Sequence, residues 1–252
     1  MNMYNYSAVW AWKGRQETPT QIAEKYLRTL NELSKNGPIL KDWGVGVTLE
    51  DDPRGGVIPL SEALKDMEKL VRENIAYDDW EQPDSASGYD MFASSNASTP
   101  DYTSDRTLSF LFQIGSKWSN EIRFNVGTMT GPSALDVATF SLFRIVMSTL
   151  TSIWSPEWAG AYAFKIDYDE PGAVAGVPVF PSSRFHIPWI TYLSTPLAEG
   201  VTPPPGIQSE QTPDGGLLMV ATQDQLDPAN PEHMRLAKAL ADLMIAATGE
   251  MG

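Results

Sequence analysis

Cysteine is absent from this sequence of 252 residues, and histidine occurs only twice. Without cysteine there can be no disulfide, no thiolate metal site and no thiol nucleophile. The two histidines, His186 and His233, exclude a histidine-rich metal site and leave few ways to form a serine–histidine–aspartate triad. We interpret His186 as a structural residue within a strand and His233 as a surface residue in the first turn of a helix.

Known catalytic motifs are missing as well. The sequence contains no nucleophile-elbow, zinc-protease, P-loop or dinucleotide-binding pattern. Its clustered acids do not have the spacing of a calcium-binding loop. A pair of carboxylates of the glycosidase type remains compatible with the sequence, because acidic residues are plentiful. We therefore expect no catalytic residues, no metal and no cofactor, and keep a carboxylate-dependent hydrolase as the alternative.

No secretory signal peptide is predicted. The first residues, MNMYNYSAVWAW, lack a basic segment followed by an apolar one. Together with the absence of cysteine, this predicts a cytoplasmic location.

Basic residues are scarce relative to acidic ones. The chain has 18 Lys and Arg against 32 Asp and Glu, which gives a formal net charge of −14. A protein this acidic repels nucleic acid and anionic membranes and attracts basic partners. We expect no nucleic-acid partner and no membrane association, although acidity also serves plain solubility.

One long apolar stretch, residues 132–154, is predicted to be the central helix of the fold. Prolines delimit it at Pro132 and Pro156, Ser133 can cap its first turn, and Asp136 suits its positive end. A membrane span is the rival interpretation, but Arg144 in the middle argues against it. Its apolar residues recur at helical spacing: Ala138, Leu142, Ile145, Val146, Leu150 and Ile153.

The rest of the chain alternates between strand and helix patterns. Aromatic and small residues alternate from Tyr6 to Trp12, and apolar residues alternate on both arms of a hairpin around residues 115–120. Thr18, Pro19 and Gln21 predict a capped helix start, and Ser61 opens a second helix over residues 61–75. We predict an α+β fold with mainly antiparallel sheet and flanking helices. It forms a single domain, residues 1–252, with possible lobes 1–130 and 131–252 around the buried central helix.

Residues 77–105 differ from the rest in composition. This stretch interleaves aromatics with acids, and no Lys or Arg occurs between Arg72 and Arg106. We interpret it as a long loop with one strand over residues 89–93; long loops in compact domains are usually functional or disordered. Aromatics supply the anchors of an interface, and acids steer it toward a basic partner. The alternatives are a flexible acidic linker and ordinary solvated loop charge.

This composition makes the segment the first candidate partner-binding site. Its proposed contact residues are Asp78, Asp79, Trp80, Glu81, Asp84 and Tyr89. A second acidic cluster is held in reserve and consists of Asp167, Asp169 and Glu170.

Several short motifs, taken in order, resemble the Immunity protein 52 family. They are YSAVWAWKGR, IAEKYLRTLNELS, DWGVG, FQIGS and NEIRFNVG in the first half, and SPEW, PWITYLS, GGLLMVAT and DPANPEHMRLA in the second. The resemblance covers nearly the whole chain. Each motif consists of structural tryptophans, glycines and helix starts, so it is their order that carries the likeness.

The resemblance implies the antidote half of a bacterial polymorphic-toxin or toxin–antitoxin pair. The partner it implies is a nuclease toxin of restriction-endonuclease type, often delivered by type VI secretion. It implies a nuclease inhibitor that is not an enzyme, acts by protein–protein interaction in the cytoplasm, and has no catalytic residues to carry over. An acidic adaptor module without a toxin partner stays open as a further alternative.

Overall fold

One ten-stranded antiparallel sheet organises the protein. A computed structural model describes residues 4–49, 52–78, 80–95, 104–127, 132–165 and 186–248. The strand order is β3-β2-β4-β5-β6-β1-β7-β8-β10-β9. The strands are β1 Tyr4–Lys13, β2 Gly44–Leu49, β3 Asp52–Pro59, β4 Tyr89–Ser94, β5 Leu108–Ile114, β6 Ser119–Val126, β7 Trp158–Lys165, β8 His186–Leu193, β9 Gln208–Gln211 and β10 Leu217–Val220.

Six helices lie within the described ranges and pack on this sheet. They are α1 Pro19–Ser34, α2 Leu60–Ala63, α3 Met67–Glu73, α4 Phe140–Trp154, α5 Thr195–Ala198 and α6 Pro231–Thr248. The α+β class predicted from the sequence is confirmed. Among these helices, not one combines the length and the apolar character that a membrane crossing requires. The proposed division into lobes 1–130 and 131–252 stays a prediction.

Strand β1 lies near the middle of the sheet, paired with β6 on one side and β7 on the other. Its alternating residues Tyr6, Ala8, Trp10 and Trp12 are all buried, as the period of two predicts. The predicted hairpin is also present, with β5 and β6 paired from Leu108↔Val126 onward. The central strands thus follow directly from the alternation of apolar residues.

Helix α1 begins where the capping pattern predicts. The Thr18 hydroxyl accepts a bond from the backbone N–H of Gln21, and the Gln21 side chain accepts one from the N–H of Thr18. Its apolar stripe, including Ile22, Tyr26 and Leu30, is fully buried. The Tyr26 hydroxyl donates to the carbonyl of Phe92 at 2.7 Å, which ties the helix to β4.

The central helix α4 is shorter than predicted. It begins at Phe140, where the Thr139 hydroxyl accepts a bond from the N–H of Leu142. The predicted cap at Ser133 is wrong, because its hydroxyl bonds the backbone of two strands, accepting from the N–H of Tyr6 and donating to the carbonyl of Val126. Residues 132–139 therefore form a connection tied to the sheet rather than a first helical turn.

The second predicted helix is also interrupted. The structure has two short helices, α2 and α3, with Asp66 capping the second of them through the N–H of Lys69. Leu64, an apolar residue within the helix predicted over residues 61–75, is 49% exposed. Strand β3 was missed, since its Asp-Pro-Arg-Gly-Gly start reads as a turn.

The two faces of the sheet are covered differently. Helices α1 and α4 cover the face that carries Trp10, where the large core lies. Helix α6 packs on the opposite face under β8, where Met244 meets the hydroxyl of Thr191 and a smaller cluster includes Leu193 and Leu240. Pro188 lies in interior strand β8, opposite a register shift between Ala161 and Tyr162. A bulge is one of the few places where a sheet accommodates a proline, because proline has no N–H to donate.

Candidate partner-binding surface

The first part of the acidic, aromatic segment precedes strand β4, and its described residues form a loop joined by backbone bonds. We call residues 76–88 the acidic loop. The N–H of Ala76 donates to the carbonyl of Gly88, and the N–H of Asp84 donates to the carbonyl of Ala76, both at 2.9 Å. Tyr77 and Pro83 form a further antiparallel bridge inside it. The loop therefore projects from the sheet as a small hairpin held by its own backbone bonds.

Asp78 fixes the tip of the acidic loop. One carboxylate oxygen accepts bonds from the N–H groups of Trp80 and Gln82, each at 2.9 Å. Glu81 adopts a positive φ of 58°, a conformation uncommon for residues other than glycine. This tight turn leaves two aromatic side chains in solvent, with Trp80 79% and Tyr77 64% exposed.

Asp84 closes the second half of the loop. Its carboxylate accepts bonds from the N–H of Ala86 and the hydroxyl of Ser87, both at 2.9 Å. These two bonds, with a smaller contribution from the positive charge of Lys117, hold the pKa of the Asp84 carboxyl below its usual range. Because its oxygens are committed to the loop, Asp84 acts mainly as a structural residue.

The turn between β5 and β6 lies beside the acidic loop. We call residues 115–118 the hairpin turn. The N–H of Lys117 donates to the carbonyl of Ala86 at 3.0 Å, and the carbonyl of Trp118 accepts from the N–H of Gly14 at 2.9 Å. Gly115 has a φ of 79°, and a side chain there would come within 2.8 Å of Ile22 in α1. The hairpin turn is therefore packed between the acidic loop and the end of β1.

Trp118 is the exposed residue of this turn. Its side chain is 67% exposed, and the Lys117 ammonium lies 4.3 Å from the centre of its ring. Lys117 and Ser119 flank this tryptophan in the predicted hairpin turn, and these polar neighbours are the sequence signal that could have predicted its exposure.

The candidate residues are thus only partly brought together. Asp78, Trp80, Glu81 and Asp84 share the acidic loop. Tyr89 is 7% exposed and belongs to the core through β4, so the surface is built without it. The remaining candidates lie outside the described residues and are Asp79, Asp167, Asp169 and Glu170.

The described residues of the acidic loop and the hairpin turn present exposed indoles and carboxylates. Within these ranges, no group of three or more His, Asp or Glu side chains is placed to hold a metal ion. His233 lies in the first turn of α6, as predicted, and its Nδ1 accepts a bond from the N–H of Asp227 at 3.1 Å. Exposed indoles and carboxylates suit recognition of another protein surface.

Comparison with known proteins places the whole chain in context. The model of the family described as Immunity protein 52 matches residues 4–249. No curated protein sequence matches the chain. Among solved structures, the chain is similar in fold to the Pseudomonas aeruginosa T6SS protein PA0821. That match has a TM-score of 0.56 and 10% sequence identity, covering 95% of this chain and 73% of that one.

Proposed function

Because the chain belongs to the Immunity protein 52 family, we propose that it binds and neutralises one cognate toxin, a nuclease of restriction-endonuclease type. The family match over residues 4–249 is the observation that carries the immunity role. Delivery of this toxin by type VI secretion and action of the protein in the cytoplasm are part of the proposal. The likeness in fold to a protein named as a T6SS protein supports the delivery route.

Charge supports a nuclease as the target. A nuclease binds phosphates through basic residues, so its substrate cleft attracts an acidic protein. The net charge of −14 gives this protein the complementary sign. Steering by complementary charge raises association rates by 10 to roughly 1,000-fold, which suits an antidote that must act before cleavage.

The acidic loop supplies the contact surface in this proposal. Trp80, 79% exposed at the tip, is the anchor, and Glu81 and Asp78 steer the encounter. Asp79 is assigned the same steering role, and Asp167, Asp169 and Glu170 form the reserve surface. Neutralisation proceeds by binding alone, without turnover.

The test uses a toxin domain of restriction-endonuclease type, sought among the genes adjacent to that of this chain, with its nuclease activity intact. We expect nuclease activity to fall linearly with added protein and to vanish at one equivalent, as stoichiometric inhibition requires. Complete inhibition at a small fraction of an equivalent would indicate an enzyme that destroys the toxin. The absence of inhibition at any ratio would reject the immunity role and favour the adaptor alternative.

The contact surface is tested separately with Trp80→Ala. We expect this variant to dissociate from the toxin about 30-fold faster, because truncation of an interface anchor costs 2 kcal/mol or more. Its thermal unfolding should match the parent protein, since the Trp80 side chain is mostly in solvent. Leu135→Ala, at another exposed apolar residue (47%), is the matched control. Equal dissociation rates for the two variants would move the interface away from the acidic loop.

A further inference from the structure

The three most exposed aromatic side chains of the described residues lie on two adjoining turns. Tyr77, Trp80 and Trp118 are 64%, 79% and 67% exposed, respectively. The first two belong to the acidic loop and the third to the hairpin turn. The other exposed large apolar residues are aliphatic and 38–49% exposed: Ile39, Leu64, Leu135 and Ile245. Among the described residues, exposed aromatic surface is therefore concentrated on these two turns.

Strand register places both turns at one end of the sheet. Tyr89, directly after the acidic loop, pairs with Ile114, directly before the hairpin turn. At the same end, Lys13 of β1 pairs with Ser119 of β6. The acidic loop therefore adjoins β4 and the hairpin turn joins β5 to β6, so that both turns lie at the same end of neighbouring strands.

One backbone bond joins the two turns, and a second ties the hairpin turn to the residue that follows Gly14 after β1. The N–H of Lys117 donates to Ala86 of the acidic loop at 3.0 Å, and the N–H of Arg15 donates to Ser116 of the hairpin turn at 3.0 Å. Aromatic anchors on a preorganised surface bind at a lower entropic cost than anchors on a mobile loop.

Charge differs between the two turns. Asp78, Glu81 and Asp84 make the acidic loop negative, whereas Lys117 and the exposed Lys13 lie next to Trp118. The Lys117 ammonium lies over the indole of Trp118 at 4.3 Å, an attractive cation–π contact that orients the ring. A partner that covers both turns must place its basic groups over the acidic loop and apolar or acidic groups over the hairpin turn. Such a pattern fixes one orientation of the partner.

We infer that Trp118 is a second anchor for the toxin, so that the acidic loop and the hairpin turn form one binding surface. This inference rests on the proposed function. It assigns the basic residues of the toxin to the acidic loop and an apolar pocket of the toxin to Trp118. Trp118 and Trp80 then contribute comparably to the lifetime of the complex.

The experiment measures binding kinetics with the toxin domain used to test the proposed function, inactivated at its nuclease site. The Trp118→Ala variant is expected to dissociate about 30-fold faster than the parent protein. The Trp118→Phe variant keeps a smaller aromatic anchor, so its dissociation rate should lie between those of the parent protein and Trp118→Ala. Leu135→Ala is the control. Leu135 lies in the connection between β6 and α4, where the N–H of neighbouring Ala134 donates to the carbonyl of Asp105. Since Asp105 precedes β5, this control is at the opposite end of β5 from the hairpin turn. Matching thermal unfolding of all variants excludes misfolding as the cause.

Each outcome decides between the claims. If the parent protein binds the toxin but Trp118→Ala dissociates no faster than Leu135→Ala, this inference is overturned and the proposed function is left intact. Failure of the parent protein to bind the toxin overturns both. Sedimentation of the free proteins supplies the last comparison. A dimer of the parent protein that Trp118→Ala converts to a monomer would assign this surface to a second copy of the chain and overturn the inference.

Discussion

At the scale of single residues, two of the described acids of the acidic loop shape its backbone in addition to carrying negative charge, whereas the third carries charge alone. Asp78 and Asp84 accept backbone N–H bonds and shape the loop. Glu81 is exposed and is available for a partner. Composition alone treats the three acids as one charge cluster, so the division appears only when the hydrogen bonds are known.

The depressed pKa of Asp84 predicts a pH-dependent contribution to stability. A carboxyl whose pKa is lowered by folding stabilises the native state above its unfolded pKa of about 3.9, and this contribution disappears as pH falls through the folded pKa. We expect Asp84→Asn to be less stable than the parent at pH 7 in urea unfolding. The difference should shrink as pH falls below about 4. Asp105→Asn, which removes an exposed charge, is the control, and a pH-independent difference for Asp84→Asn would contradict the assignment.

Sequence patterns placed Tyr89 among the contact residues although it is buried, and they did not identify the exposed Trp118. Tyr89, Met91 and Ala93 alternate in β4 and are all buried, and this period of two could have placed Tyr89 in the core. For tryptophan, burial depends on the surroundings: Trp10 lies inside the sheet and Trp118 in a turn. A residue's type therefore predicts an anchor only once its strand or turn is known.

At the scale of elements, local signals predicted the strands and helices that depend on few distant contacts. The capping box of α1, the alternation in β1 and the hairpin of β5 and β6 are all local patterns. The start of α4 depends on Ser133, whose partners Tyr6 and Val126 lie 127 and 7 residues away. The sequence pattern of a helix cap does not reveal that the Ser133 hydroxyl is bonded to the sheet. The predicted helix was too long for this reason.

Helix α4 provides a prediction about the core. Leu142 is 6% exposed within the large cluster, whereas Ser148 of the same helix is exposed. Leu142→Asp buries an unpaired charge at a cost of several kcal/mol, comparable with the roughly 5–15 kcal/mol stability of a domain, and should abolish soluble folding. Ser148→Asp should unfold near the temperature of the parent protein in a thermal scan. Ile145 is only partly buried at the edge of the core, so Ile145→Asp should be the milder of the two apolar replacements.

At the scale of the whole molecule, net charge and local charge make separable contributions to association. The net charge of −14 acts at long range on any basic partner. Salt screens the effect of charges that lie more than about 10 Å from the partner at 0.1 M. Charges at the edge of an interface therefore act on the partner more strongly than distant charges do. The position of an acid on the surface should therefore matter more than its contribution to the total.

Two double variants separate these contributions, because each removes two negative charges from the same total of −14. Asp78→Asn with Glu81→Gln alters the acidic loop, and the asparagine keeps an oxygen for the loop's N–H bonds. Asp105→Asn with Asp224→Asn alters two exposed positions at the other end of the sheet, one just before β5 and one just after β10. With the inactivated toxin domain, we expect the first variant to associate about threefold more slowly at low salt, within the 10 to roughly 1,000-fold range of charge steering.

The salt dependence of the association rates distinguishes steering by the acidic loop from steering by total charge. Association of the acidic-loop variant should depend less steeply on salt than that of the parent protein, and its dissociation rate should stay close to the parent value. Charges at the rim of an interface act on encounter, whereas buried anchors act on lifetime. Equal slowing by both double variants would mean that total charge alone steers the toxin. An effect confined to the remote pair would place the interface at the other end of the sheet.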